Sequence, residues 1–150
     1  MFSFRSVVLL LALVIAVSAG TNKEGLAFLA KKAAEEGVVK LDSGLMYKEI
    51  TAGGNSGKKA KINTPCECHY AGTLINGVEF DSSYKRGQPL TFAPNQVIKG
   101  WTEALQLMDE GAKWELYIPS ELGYGDRGAG GSIPGGAVLI FTLELITIKS

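Results

Sequence analysis

The spacing of apolar positions along this chain changes period near Leu45. Upstream, Thr21–Gly37 repeats at helical spacing, with Leu26, Leu29, Ala30 and Ala33 on one stripe. Thr21 with Glu24 predicts a capping box, and Gly37 a C-terminal stop. The stripe is narrow and alanine-rich, so this helix is expected to pack weakly on the domain or on a partner. Downstream the period is two. Met46–Thr51 predicts a strand, Cys66–Leu74 a second, and Asn76-Gly77 a type I′ hairpin into Val78-Glu79-Phe80. Gln88–Phe92 reads as a further short strand. Lys113–Ile118 puts Trp114, Leu116 and Ile118 on one face, and Val138–Ile148 does the same for Leu139, Phe141, Leu143 and Leu145. Only Asn95–Met108 returns to helical spacing, through Trp101, Leu105 and Met108. These segments imply an α+β fold, an antiparallel sheet wrapped around one short helix, with no internal repeat.

The first residues follow neither period. Arg5 precedes the apolar run Val7–Val17, which is shorter than the ~20 residues a membrane-spanning helix needs. Val17-Ser18-Ala19 then fits a small-residue cleavage site, so residues 1–19 read as a signal peptide cut after Ala19. An uncleaved signal anchor is the competing reading. The expected product has no membrane attachment after cleavage and lies in the secretory pathway, secreted or in the endoplasmic reticulum lumen; Ile148-Lys149-Ser150 is no retention tetrapeptide.

Charge narrows the partners. Fifteen basic and fifteen acidic residues cancel, so no overall field favours nucleic acid, and Lys58, Lys59 and Lys61 read as a solvated cluster in a polar loop. Cys66 and Cys68 are the only cysteines. On one strand face at i, i+2 their Cα atoms stand roughly 6.5–7 Å apart, at or beyond disulfide reach. Two buried thiols are expected instead. His69 is the single histidine, so ligands for zinc are lacking and neither metal nor cofactor is expected. The histidine is expected to be a packed or hydrogen-bonded strand residue.

Conventional active sites fare poorly. A serine or cysteine hydrolase needs a base, and no G-x-S-x-G stands near His69. Glu79 and Asp81 can share a strand face as a carboxylate pair, but a solvated Glu79 is the simpler reading. The glycine-rich run Gly123–Gly136 lacks the Gly-Lys-Ser/Thr ending of a phosphate loop and leads into a strand. What remains is Gly77–Trp101, which sets Asp81 beside Phe80, Arg86 five residues on, then Phe92, Val97, Ile98 and Trp101. That composition suggests an aromatic-lined pocket with few polar groups. Such a pocket suits binding, or a reaction needing neither proton transfer nor a covalent intermediate.

CHYAGTLINGVEFDSSYKRGQPLTF, followed by NQVIKGWTEAL, ELGYG and IPGGAVLIFTLELI, resembles the FKBP family of peptidyl-prolyl cis–trans isomerases. The resemblance spans residues 43–150, implying an isomerase domain there preceded by a helical segment at 20–42. Signal peptide plus N-terminal helix resembles the secreted macrophage-infectivity-potentiator-like branch. The implied fold is a half-open antiparallel β-sheet curled around one short α-helix. By the same resemblance Asp81, Tyr124, Trp101 and Phe141 are implied catalytic residues, with Trp101 as the floor under the prolyl ring. Tyr70, Phe80, Arg86, Phe92, Gln96, Val97, Ile98 and Ile133 are implied to bind substrate or inhibitor, Arg86 by pairing with Asp81. The Ile98 N–H and the Tyr124 hydroxyl are implied to hold carbonyl groups. Implied partners are Xaa-Pro peptides or unfolded proteins and macrolide inhibitors of the FK506/rapamycin class. A monomer is expected, with a dimer through the N-terminal helix as the alternative. A non-catalytic proline-binding chaperone or adaptor is the alternative function. Ala129 and Leu90 depart from the commoner family pattern, where bulkier or aromatic residues are frequent.

Overall fold

The computed structural model describes residues 20–54 and 56–150; the expected signal peptide, residues 1–19, lies outside the described residues. Among the described residues seven strands form one antiparallel sheet: β1 (Val38–Lys40), β2 (Met46–Thr51), β3 (Cys66–Leu74), β4 (Glu79–Ser82), β5 (Leu90–Phe92), β6 (Lys113–Ile118) and β7 (Leu139–Ile148). They lie in the order β1-β2-β6-β7-β3, and the outer edge of β3 is divided between β4 and β5. Register shifts interrupt β2–β6, β3–β7 and β3–β4, the irregularities by which a sheet bends. The α-helices among the described residues are α1 (Lys23–Ala33), α2 (Ser83–Arg86) and α3 (Lys99–Leu107). Among the described residues no helix is long and apolar enough to cross a membrane.

The period-two pattern does what it predicts on β3, β6 and β7. Cys68, Tyr70, Trp114, Leu116, Ile118, Leu139, Phe141 and Leu143 all join one buried cluster, closed by Trp101, Ala104 and Leu105 of α3. Burying an aliphatic or Phe side chain of this kind contributes about 1.5–3 kcal/mol. The helix can lie close because Gly100 has no side chain; a Cβ there would stand 2.9 Å from Ile118 Cγ2. Cys66 and Cys68 are buried free thiols, as expected, and burial raises the pKa of both.

Four local expectations are corrected. The central helix begins at Lys99 rather than Asn95, because Pro94–Gln96 takes a 3₁₀ turn and Val97 and Ile98 stay extended. Asn22, not Thr21, caps α1, accepting from the Gly25 N–H at 2.8 Å. Thr21 is instead drawn into a tertiary contact with Glu121. The helix also stops at Ala33, and Gly37 at φ +86° turns the chain into β1, a strand the periodicity did not show. The hairpin after β3 is not type I′, since among the described residues no non-glycine residue has positive φ. Gly77 N–H donates to Leu74 O and Leu74 N–H to Val78 O, and Gly77 lies at φ +89°. This is a three-residue loop with a glycine bulge, the next most common hairpin solution.

Helix α1 packs on its own domain. Its Phe28 meets Tyr117 of β6 edge-on, with ring centroids 6.1 Å apart, and Lys32 Nζ lies 5.0 Å from the Tyr117 ring centre. Tyr117 on that outer face is therefore buried, although strict alternation would have exposed it, and Met46, its partner across the β2–β6 ladder, is buried too. Eleven residues are too few for a stable isolated helix, so these contacts hold it.

Candidate active site

The pocket begins with a missing side chain. Gly72 of β3 faces Phe141 of β7, and a Cβ on Gly72 would stand 2.6 Å from both the Phe141 and Phe80 rings. Phe80 reaches the same side as its neighbour Asp81 because the β3–β4 pairing slips there. Gly72 pairs with Asp81 and Thr73 with Glu79, leaving Phe80 as the extra residue. A bulge re-aims side chains that a regular strand would send to opposite faces. Both residues consequently line one cavity.

Trp101, in the first turn of α3, sits between these strands at 5% exposure. Its indole meets Tyr70 at 5.0 Å and Phe141 at 5.0 Å, both edge-on, and Phe92 at 5.3 Å. The segment leading into α3 carries Gln96, Val97 and Ile98 along one side of the opening. It is pinned by Thr102 Oγ1 donating to Pro94 O at 2.6 Å and by the Ala93 N–H donating to Gln96 Oε1 at 2.8 Å. Tyr124 and Ile133 come from the long loop between β6 and β7. Together these groups enclose a cavity of about 660 Å³.

Every pocket residue expected from the sequence lines this cavity except Arg86, which acts one layer out. The Tyr70 hydroxyl donates to Asp81 Oδ2 at 2.6 Å, and the Ser82 N–H to Oδ1 at 2.9 Å. Arg86 pairs with Asp81 Oδ1, and its other nitrogen donates to the Tyr70 hydroxyl at 2.9 Å. Partial burial works to raise the Asp81 pKa. The hydrogen bonds from Tyr70 and Arg86, the Arg86 charge and the Ser82 N–H outweigh it and hold the carboxyl below its ordinary value. Asp81 is thus an anion whose lone pairs are already engaged. It is suited to supplying a field rather than to taking a proton. Burial and the Asp81 hydrogen bond push the Tyr70 phenol up, so it stays a donor.

Two donors on residues that line the cavity are uncommitted. Among the described residues, neither the Ile98 N–H nor the Tyr124 hydroxyl makes a hydrogen bond within the chain. The Trp101 Nε1 is buried without a partner among the described residues. Sequence reasoning did not include Ser132 and Leu90 in the lining. Ser132 carries no sequence signal beyond adjacency to Ile133, and Leu90 stands out in the sequence only as a departure from the family pattern.

The one histidine does contact a serine, at 2.8 Å from His69 Nδ1 to Ser83 Oγ. It makes no nucleophile. Ser83 is fully buried, accepts from the Tyr70 N–H at 2.7 Å and lies 3.2 Å from the Tyr70 carbonyl oxygen. His69 stacks on Tyr84, the packed role expected of it. Glu79 turns away to pair with Lys85 at 2.7 Å, so no carboxylate pair forms in the cavity.

An aromatic cavity over a buried tryptophan, between a bent antiparallel sheet and a short helix, defines a class of fold and site. Comparison with known proteins identifies it. Residues 56–146 match the model of the FKBP-type peptidyl-prolyl cis-trans isomerase family, and residues 15–48 match that of the domain amino terminal to such isomerases. The chain belongs to the FKBP-type peptidyl-prolyl cis-trans isomerase family. It is 55% identical over 129 residues to the macrophage infectivity potentiator of Trypanosoma cruzi, covering 85% of this chain and 65% of the relative. Against a crystal structure of a peptidyl-prolyl cis-trans isomerase from Pseudomonas syringae the TM-score is 0.79 at 39% identity, covering 90% of this chain and 96% of that one. FkpA from Escherichia coli gives 0.80 at 38% identity, covering 99% of this chain and 68% of that one. The chain spans between about half and two thirds of the length of the curated relatives first matched.

Proposed function

We propose that this chain is a peptidyl-prolyl cis–trans isomerase that accelerates rotation about Xaa-Pro bonds in peptides and unfolded proteins. The observation that carries the reading is the Trp101 floor walled by Tyr70, Phe92 and Phe141, with uncommitted donors at its rim. Rotation of an amide passes over a barrier of ~18–20 kcal/mol, through a twisted state that has lost resonance. The planar ground state is the more dipolar, so an apolar cavity disfavours it relative to the twisted state. Catalysis is then differential binding of the twisted amide, and no nucleophile is needed. Lowering the barrier by ~6–8 kcal/mol gives about 10⁴–10⁶-fold. Trp101 and Phe141 supply the apolar floor and wall. The Ile98 N–H and Tyr124 hydroxyl hold the carbonyls flanking the proline, and the Asp81 anion sets the field.

The same cavity is the proposed site for macrolides of the FK506/rapamycin class. Residues 43–150 are the proposed catalytic unit, with 20–42 packed against it. Residues 1–19 are the proposed export signal, and a relative from Legionella longbeachae carries the name outer membrane protein MIP. The test is cis/trans exchange on a short Xaa-Pro peptide, followed for the wild type and Trp101→Leu. Acceleration by the wild type and its loss in the variant are expected. No acceleration with macrolide binding intact would reject the enzyme and leave a proline-binding chaperone or adaptor.

A further inference from the structure

We propose that the segment Gly20–Asn22 clamps the rim of the pocket, with Thr21 and Glu121 acting as positioning residues for Tyr124; this rests on the isomerase reading. Tyr124 is carried on a loop rich in glycine, including Gly123, Gly125 and Gly128, which folds on itself through bonds such as the Gly128 N–H to Tyr124 O at 3.1 Å and the reciprocal Ala129–Ile133 pair. What ties it to the segment ahead of α1 is a ring of hydrogen bonds closed by residues about one hundred positions upstream. The Thr21 N–H and hydroxyl donate to the Glu121 carboxylate at 3.0 Å, and the Ser120 N–H donates back to Thr21 Oγ1 at 3.1 Å. Ser120 O then accepts from Gly123 and Gly125, the two neighbours of Tyr124, at 3.0 and 2.8 Å. Gly125 O accepts from the Gly136 N–H at 2.9 Å, and Gly136 O accepts from the Asn22 N–H at 2.8 Å. The ring thus leaves Thr21, passes on both sides of Tyr124 and returns to Asn22.

The packing is as tight as the bonding. Thr21 is 3% exposed and Ser120 1%. A Cβ on Gly20 would meet Glu121 Oε1 at 2.5 Å, and one on Gly136 would meet Gly20 O at 2.7 Å. A threonine hydroxyl buried at a helix entry is normally spent on capping. Here Asn22 takes that task and frees Thr21 for the loop. The expected cut after Ala19 would make Gly20 the first residue of the exported chain. A cut only two residues later would delete the Thr21 contacts, which couples processing to the pocket.

Thr21→Val keeps the shape and burial and removes the hydroxyl; Thr21→Ser restores it. We expect Thr21→Val to raise KM for an Xaa-Pro peptide about five-fold, the factor one net hydrogen bond supplies, with kcat within about two-fold. Amide exchange at Gly125 and Gly136 should quicken in Thr21→Val and return to the wild-type rate in Thr21→Ser. A merely structural role would lower Tm and leave KM unmoved. A folded Thr21→Val with wild-type KM therefore overturns the positioning role whatever the exchange shows. Wild-type protein without turnover would overturn the isomerase reading instead. In that case the Gly125 and Gly136 amides alone decide the clamp, unchanged exchange rejecting it.

Discussion

Gly72→Ala adds one methyl group at the place where the pocket wall depends on having none. The new carbon would lie 2.6 Å from Phe141 Cε1 and 2.6 Å from Phe80 Cζ. Non-bonded carbons settle at about 3.5–4.0 Å, so both rings must retreat by about 1 Å. Phe141 cannot move back freely, because it already meets Phe80 at 5.4 Å and Trp101 at 5.0 Å, both edge-on. Its displacement passes to the pocket floor. Overpacking of this kind costs about 1–3 kcal/mol, which lowers Tm by about 4 °C per kcal/mol in a domain of this size. Displacing a positioned group by about 1 Å costs roughly 10²-fold in rate. The assay is kcat/KM for peptide isomerisation well below the unfolding transition, beside thermal unfolding. Gly77→Ala is the control. Nothing lies within 4 Å of a Cβ there, but φ is +89°, so a side chain costs about 1–2 kcal/mol of strain. Both variants should lose Tm, and only Gly72→Ala should lose activity. Wild-type kcat/KM in Gly72→Ala would refute the account of the wall, as would equal activity losses in the two variants.

Asp81 gives a pH prediction whose sign follows from its environment. Its carboxyl lies below the ordinary 3.8 in the fold, so the unfolded chain binds the proton more tightly. The contribution is present above that ordinary value and lost as pH falls through the lower folded one. Asp81→Asn should flatten the fall of Tm with pH below about 4, modestly because the Arg86 pair is half-exposed and screened. An unaltered slope would contradict the pairing. Cys66 and Cys68 are buried and burial favours their protonated form, so a thiol reagent should modify neither until the chain unfolds. A Cys66–Cys68 disulfide in exported protein, or rapid labelling of the native state, would contradict the packing.

Much of this molecule is written locally. Alternation along β3, β6 and β7 is a property of each strand alone, since burial of one face requires it. Those strands therefore face the core as their sequences predict, and Trp101 lies on the buried stripe of α3. The short motifs around Tyr70, Phe80, Trp101, Tyr124 and Phe141 likewise marked the pocket, because each needs only a few adjacent residues to be recognised. Local rules failed where a distant partner intervened. Thr21 reads as a cap until Glu121 takes its hydroxyl, and Tyr117 reads as exposed until Phe28 covers it. Helical spacing carried α3 back to Asn95, and only the 3₁₀ turn at Pro94–Gln96 left Ile98 extended with its N–H free. The slip that puts Phe80 and Asp81 in one cavity belongs to the pairing of two strands. The sequence by itself determined which side chains would be apolar and which way most of them would face. Register, the missing wall at Gly72 and the ring that holds Tyr124 were decided by tertiary structure alone, because each depends on which segments meet in space.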